Sequence, residues 1–193
     1  MKRAKKQKYN NTTYGHSVDK NDRIVAVSEN WQAFAEENLG ATCFPEKIIG
    51  SSLWDHIRDP ETKHLYEIIL QKVREHHCQA TFPFRCDSPE KRRFLELSVI
   101  PMEDGSVDFV SRKIKTEARK PVELLRSGIV RSNESIRICS MCKKIALSET
   151  EWSEVEIAVQ EMKLFERKVL PQITHGVCEP CYDTVMAELD GCG

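Results

Sequence analysis

Two pairs of cysteines in the last third of the chain have the spacing of metal-binding knuckles. Cys139 and Cys142 form one CxxC motif, Cys178 and Cys181 form a second, and 36 positions separate Cys142 from Cys178. A CxxC on a tight turn holds two thiolates close enough to share one ion, and two such turns offer the tetrahedral sulfur set that suits Zn²⁺. The sequence therefore predicts a structural Zn²⁺ site with these four cysteines as ligands.

His175 lies three residues before the second pair and is an alternative ligand. Because four cysteines already fill a tetrahedron, the preferred role for His175 is to support a ligand from outside the coordination sphere. Four thiolates leave no open position for a substrate, and the sequence has no HExxH pattern. It also has no glycine-rich phosphate loop and no GxSxG motif. The protein is therefore not expected to be an enzyme.

Two other interpretations of the cysteines stay open. CxxC pairs also carry out dithiol chemistry, so an oxidant that attacks the thiolates and releases the metal would make this region a thiol-based redox switch. The four cysteines could also be ordinary buried thiols. The other cysteines have no partner spacing and are expected as single thiols, because disulfides are rare in a reducing compartment. These are Cys43, Cys78, Cys86 and Cys192.

Apolar residues at helical spacing surround the second cysteine pair. A helix is predicted over about 151–167, between the two CxxC motifs, with one apolar face for packing. That face consists of Trp152, Val155, Val159, Met162 and Phe165. A short helix is predicted directly after Cys181, and a knuckle that leads into a helix resembles treble-clef zinc sites.

The upstream sequence has strand and helix patterns in separate blocks. Two short strands are predicted within 16–28, and the last of three helical segments begins at Asp59-Pro60 and ends near His76. Three strands are predicted at 80–85, 93–100 and 106–111, and Pro83 places the first of them at a sheet edge or in a bulged position. The order β-β-α-α-α-β-β-β favours an α+β fold with an antiparallel sheet.

Several short motifs in this block, in this order, resemble a PAS domain. They are DRIV at 22–25, NW at 30–31 and IGSSLW at 49–54. The sequence departs from the family pattern at Asn21-Asp22, where Asp-Gly is usual. The resemblance implies a PAS-like antiparallel sheet with helices, a sensory role and an unknown ligand.

The cysteine region resembles a module that follows PAS domains in bacterial signalling proteins. The matching residues are CSMCKKI at 139–145, Trp152 and LPQITHGVCEPCY at 170–182. The resemblance implies a bacterial, PAS-type sensory and signalling interaction protein with a metal-binding tail. A protein partner is expected, with a homodimer formed through the PAS-like domain.

Composition divides the chain into four predicted segments: a basic, disordered tail at 1–14, a PAS-like domain at 15–116, a linker at 117–136, and a small, helical zinc-binding module with four cysteine ligands at 137–193. Residues 139–193 hold 10 acidic and 5 basic residues, which disfavours the further alternative of a nucleic-acid-binding zinc protein.

Because the chain has no apolar run of about 20 residues and no signal peptide, a cytoplasmic protein without a membrane partner is expected.

Three arginines lie around a predicted turn at 87–89. Asp87-Ser88-Pro89 is a turn signal, so Arg85, Arg92 and Arg93 are interpreted as the tip of a hairpin. The alternative is that these guanidinium groups contact an anion or a partner.

Overall fold

The computed structural model describes residues 13–38 and 43–192. The elements of its first half are β1 (Thr13–Val18), β2 (Ile24–Val27), α1 (Trp31–Asn38), α2 (Pro45–Ile48), a 3-10 turn (Leu53–Asp55), α3 (Pro60–His76), β3 (Ala80–Arg85), β4 (Lys91–Pro101) and β5 (Val107–Ala118). The element order expected from the sequence is confirmed. The predicted basic tail lies outside the described residues, apart from Thr13 and Tyr14, which begin β1.

The first five strands form one antiparallel sheet in the order β2-β1-β5-β4-β3, and the helices connect β2 to β3. The protein therefore has the α+β fold, with the antiparallel sheet that the PAS resemblance implies. Pro83 lies in the edge strand β3, as predicted, because an edge position tolerates a residue without an N–H group.

Helix α3 covers the sheet and supplies much of the first core. Asp59 caps the helix by accepting a hydrogen bond of 2.7 Å from the backbone N–H of Thr62, and Pro60 occupies the first turn. Apolar side chains then recur at helical spacing and lie under the sheet, fully buried. They include Leu65, Ile69 and Val73, which belong to the same core as Phe82 and Phe109.

The turn between β1 and β2 accommodates Asp22 in a conformation that glycine adopts more easily. Asp22 has a positive φ of 59°, the left-handed conformation that glycine adopts most easily. The side chain of Asp22 accepts a hydrogen bond of 3.1 Å from the indole N–H of Trp54 and pairs with Arg74 at 2.8 Å. These contacts offset the conformational cost of about 1 kcal/mol.

The second half forms a smaller mixed sheet in the order β8-β7-β6-β9. Its elements are a 3-10 turn (Glu123–Leu125), β6 (Arg131–Cys139), β7 (Ile145–Ala146), β8 (Trp152–Ser153), α4 (Val155–Glu161), a 3-10 turn (Leu164–Glu166), β9 (Leu170–Gly176) and α5 (Glu179–Asp190). Strands β6 and β9 are parallel, whereas the other pairs are antiparallel.

The helix predicted over 151–167 is wrong in length. Within this range the α-helix spans only Val155–Glu161 (α4). Trp152 lies in β8, and Phe165 is 66% exposed rather than packed. Strand β9 was not predicted. The physical reason is that β6 and β9 are parallel, and a parallel pair needs a long crossover connection, which uses these residues for several short elements.

The segment expected as a linker, 117–136, contains structured residues. Strand β5 continues to Ala118, and β6 begins at Arg131. Val122 and Leu124 between them are buried and belong to the core of the second sheet. The segment therefore packs against that sheet.

The two halves share a core across the edge of the first sheet. Helix α5 packs on α3 and on β3, and its residues Val185 and Leu189 belong to the core that α3 covers. The outward N–H of Thr81 donates to Glu188 (2.9 Å) and that of Arg85 donates to the carbonyl of Met141 (2.7 Å). With Pro83 between them, the outward-facing amides of β3 are all accounted for.

Among the described residues, no helix is both long enough and apolar enough to span a membrane.

Candidate metal centre

The parallel pairing of β6 and β9 brings the two CxxC motifs together. Cys139, the last residue of β6, is opposite Gly176, the last residue of β9. The backbone N–H of Ser140 then donates to the carbonyl of Gly176 at 2.8 Å. A Cβ atom at position 176 would lie 2.9 Å from side-chain atoms of Glu61 and Arg137, so a larger residue here would require these two side chains to shift.

The first pair lies on a tight turn at the end of β6. The N–H of Cys139 donates to the carbonyl of Lys144 at 2.8 Å, and the N–H of Lys143 donates back to Cys139 at 3.0 Å. Lys143 has a positive φ of 62°, which closes the turn directly after Cys142. This turn directs both sulfurs toward the second pair.

The second pair lies at the start of α5. Cys178 is the N-cap residue, and Cys181 lies in the first turn, where its N–H donates to the carbonyl of Cys178 at 3.0 Å. The partial positive charge at a helix N-terminus favours thiolates at these positions.

The four sulfur atoms lie within 4.8 Å of one another. The sulfurs of Cys142 and Cys178 are 3.7 Å apart, and the N–H of Cys178 donates to the sulfur of Cys139 at 3.4 Å. A tetrahedral centre with Zn–S bonds of about 2.3 Å needs sulfurs about 3.8 Å apart. The residues present therefore fit a metal ion held by four thiolates.

The crowded sulfurs have unequal acidities. The pKa of Cys139 is lowered because the thiols of Cys142 and Cys181 and the N–H of Cys178 donate hydrogen bonds to it. The same hydrogen bonds keep their donors protonated, so the pKa of Cys142 is raised to about 12 and that of Cys181 is raised as well. A bound cation would remove this imbalance, because it stabilises all four thiolates together.

His175 is not part of the sulfur group. It lies on β9 opposite Ile138 in the strand register and is exposed to solvent. Partial desolvation lowers its pKa, and the nearby charge of Lys143 contributes. The structure thus brings together the four cysteines named from the sequence and leaves the alternative ligand outside.

The centre has a buried side and an accessible side. Cys139 and Cys178 are buried, whereas Cys142 and Cys181 are half-buried. Cys142, Cys178 and Cys181 line a cavity of about 330 Å³ together with Trp152. A neighbouring cavity of about 410 Å³ shares Trp152 and is rich in carboxylates. Its acidic lining residues are Glu61, Glu149 and Glu179.

The arginines assigned to a hairpin tip form a buried ion network between the two halves. Arg85 pairs with Asp87 at 2.5 Å and with Glu154, directly before α4, at 2.8 Å. Arg119 joins Asp87 to Glu156 at 3.2 and 3.3 Å. These guanidinium groups are therefore occupied within the chain rather than offered to an external anion.

Arg92 and Arg93 are also used within the chain. Arg92 pairs with Glu156 at 2.8 Å, and Arg93 donates to the carbonyl of Cys86 at 3.2 Å. The sequence offered no signal for the pairing of Arg92 with Glu156, because the two residues are 64 positions apart.

The expectation that all of the remaining cysteines are single thiols is wrong for one pair. Cys78 and Cys192 form a disulfide, with their Cα atoms 5.7 Å apart. Their sequence separation of 114 carries no pairing signal, and only the packing of α5 against α3 and β3 brings them together. Cys86 is half-buried and lies outside both the disulfide and the four-sulfur group.

No family model and no curated protein matches this chain. Among solved structures, it is similar to a domain of an HTR-like protein from Haloarcula marismortui, with 18% identity and a TM-score of 0.40 over 54% of this chain and 99% of that one. It is also similar to a sensory box sensor histidine kinase from Vibrio cholerae, with 14% identity and a TM-score of 0.40 over 54% of this chain and 83% of that one. Just under half of this chain lies outside each match.

Proposed function

We propose that this protein is a PAS-type sensory and signalling interaction protein whose C-terminal region is held in place by a structural Zn²⁺ centre. The observation that carries the proposal is the group of four sulfurs within 4.8 Å at the junction of β6, β9 and α5. Cys139, Cys142, Cys178 and Cys181 would hold the ion. Four thiolates fill a tetrahedron, so the ion has a structural rather than a catalytic role.

Helix α3 is the element through which the two halves affect each other. Near its first turn, the hydroxyl of Thr62 lies 2.7 Å from that of Ser140, inside the first CxxC motif. Glu61 pairs with Arg137 at 3.0 Å and accepts a hydrogen bond of 3.0 Å from the N–H of Val177, next to the second motif. A shift of α3 would therefore move both cysteine pairs.

The signal would leave the protein by contact with another protein. The cavity beside Trp152 is lined by three glutamates and by Arg137, which pairs with Glu61, so its formal charge is net negative. This charge supports a protein partner over a nucleic acid, whose phosphates require clustered lysine and arginine. A homodimer through the PAS-like region, in the cytoplasm, completes the proposal.

Elemental analysis and native mass spectrometry of the purified full chain test the proposal together. We expect about one zinc per chain and a mass that corresponds to two chains. Cys139→Ser should lose the zinc, whereas Cys86→Ser should retain it. A wild-type chain that carries no metal after purification in the presence of zinc would overturn the zinc centre, and a monomer at all concentrations would overturn the homodimer.

A thiol-based redox switch is the second candidate, and the exposure of the centre favours it. Cys142 and Cys181 are half-buried and line a cavity, which supports access of a small peroxide to their sulfurs. Hydrogen peroxide would oxidise two of the thiolates to a disulfide and would itself be reduced to two hydroxide ions. The metal ion would be released because it loses two ligands. Unchanged zinc content and thiol count after mild peroxide treatment would exclude this candidate and leave the structural role.

A further inference from the structure

Helix α5 is fastened to the rest of the protein at both ends. Its start carries Cys178 and Cys181, two of the four sulfurs of the candidate metal centre. Its last residue is Asp190, and two positions later Cys192 is bonded to Cys78, just beyond the end of α3. The metal centre and the disulfide therefore hold opposite ends of one helix of 12 residues.

Between these two points the helix packs on α3 and β3 through one apolar face. Val185 and Leu189 are its buried side chains, each 1% exposed. Glu188 adds a hydrogen bond of 2.9 Å from the N–H of Thr81. A single helix of this length is marginal by itself, so its position depends on this packing together with the two end attachments.

We infer that the Cys78–Cys192 disulfide is a reversible lock that sets how tightly the metal centre retains its ion. The inference rests on the proposed zinc site and adds its regulation. While the disulfide is closed, Cys178 and Cys181 stay near the other two sulfurs after a momentary dissociation, and their high effective concentration favours recapture of the ion. Once it is open, α5 can separate from its C-terminal end and withdraw both ligands.

The chemistry of the lock requires a dithiol reductant. A thiolate of the dithiol attacks one sulfur of the disulfide and forms a mixed disulfide, and the second thiolate of the dithiol then displaces the protein sulfur. Two electrons and two protons pass to Cys78 and Cys192, and the dithiol leaves as a cyclic disulfide. Both protein sulfurs belong to half-buried residues, so a small dithiol can reach them.

Thermodynamic linkage makes the effects of the disulfide and of zinc on each other equal. If closing the disulfide raises the affinity for zinc by some factor, then binding zinc must favour the closed disulfide by the same factor. A disulfide with a merely structural role, far from an independent metal site, would not show this coupling.

The first test measures the rate at which the zinc-loaded full chain transfers its ion to a colorimetric chelator, without reductant. The double variant Cys78→Ser/Cys192→Ser should lose zinc about 10-fold faster than the wild type. Wild-type protein reduced with a phosphine, which becomes a phosphine oxide, should behave like the double variant. Cys86→Ser keeps the lock and all four ligands and should match the wild type.

A second measurement keeps the inference testable if the double variant does not fold. The wild-type chain is equilibrated in glutathione buffers of graded ratio, with and without saturating zinc, and the state of Cys78 and Cys192 is read by alkylation and peptide mass. We expect the ratio that reduces half of the disulfide to shift about 10-fold with zinc.

The outcomes separate the two proposals. Equal transfer rates, or equal reduction ratios with and without zinc, in a chain that binds zinc would overturn the lock and leave the zinc site standing. A chain that binds no zinc would overturn both.

Discussion

The cores of the two sheets differ in composition. The first contains large, fully buried side chains, among them Phe82, Phe109 and Leu65. In the described part of the second core, the buried residues are valine, leucine, isoleucine and alanine, with no aromatic ring. Since buried area is the main source of stability, the second sheet has less to hold it together.

Because of this difference, the folding of the second sheet depends more on the sulfur cluster and on contacts with the first half. A small module with a thin core commonly needs a metal, a disulfide or a larger neighbour to stay folded. The C-terminal half has all three candidates: the four sulfurs, the Cys78–Cys192 bond and the Arg85 network. The two halves are therefore expected to differ in stability.

Loss of the metal centre should have the largest effect. Replacing Cys178 by Ser should remove more than about 5 kcal/mol of stability from the second sheet, enough to unfold it, because metal binding and folding are coupled there. The first sheet should stay folded on its own aromatic core. Hydrogen exchange should show protection lost in β6, β9 and α5 and kept in β4 and β5.

The matched control for the metal centre is Cys86→Ser, which removes a half-buried thiol outside the sulfur group. It should leave protection unchanged in both sheets. Equal loss of protection across both sheets in the Cys178 variant would show that the shared core makes the protein one cooperative unit.

Breaking the buried ion network should have the next largest effect. Arg85→Met should destabilise the protein by about 3–5 kcal/mol, because it removes one of the two arginines that pair with the buried carboxylate of Asp87 and also breaks the ion pair with Glu154. The side chain of Arg85 is 9% exposed and that of Asp87 is 2% exposed. Urea unfolding followed by circular dichroism measures the change.

Arg92→Met is the control for the network, since Arg92 is 28% exposed and pairs with the part-exposed Glu156. Its expected cost is about 0–1 kcal/mol, as for surface ion pairs. If the two variants cost the same, burial does not strengthen the Arg85 pairs as described.

Acid should destabilise the first sheet through His16. Burial lowers the pKa of His16 from 6.5 to about 4, with a contribution from His56. Between these values the unfolded chain binds a proton that the folded protein does not, so stability falls as the pH drops from 6.5 to 4. The loss reaches at most about 3 kcal/mol and levels off below pH 4.

The variant that tests this window is His16→Phe, because the ring of His16 already stacks on Phe109 at 4.7 Å. The difference in unfolding free energy between wild type and variant should change across pH 6.5 to 4 and be constant above it. Parallel curves for the two proteins would assign the acid sensitivity to other groups.

The smallest expected effect is at the helix cap that contacts the first CxxC motif. Asp59 accepts a second hydrogen bond of 2.8 Å from the hydroxyl of Thr62, which also faces Ser140. Asp59→Ala should cost about 1 kcal/mol, whereas Asp59→Asn should cost much less because asparagine also caps helices. Thermal unfolding of the two variants distinguishes a lost cap from a lost charge.

Local patterns predicted most of the first half. The helix start at Asp59-Pro60, the edge position of Pro83 and the separate blocks of strands and helices are all present in the structure. Each depends on neighbours within a few positions, where backbone geometry and capping act directly. The four cysteines of the centre were found in the same way, because CxxC spacing is itself a local property.

Contacts between distant residues were missed or misassigned. The periodicity of 151–167 predicted a single helix, because sequence spacing cannot show that β9 will pair in parallel with β6. The pairing of Arg85 with Glu154 and that of Cys78 with Cys192 were likewise invisible, since the partners lie 69 and 114 positions apart. Which residues of such separation meet is decided by packing rather than by local preference.

The sequence alone determined the types of the first-half elements, the α+β class and the four sulfurs that could share an ion, because these follow from short-range backbone geometry and residue chemistry. Only the tertiary structure decided that the sulfurs converge, that His175 stays outside them and that Cys192 reaches Cys78. The physical reason is that convergence depends on one parallel strand pair and on one helix packed across a sheet edge, and both form only when the two cores assemble.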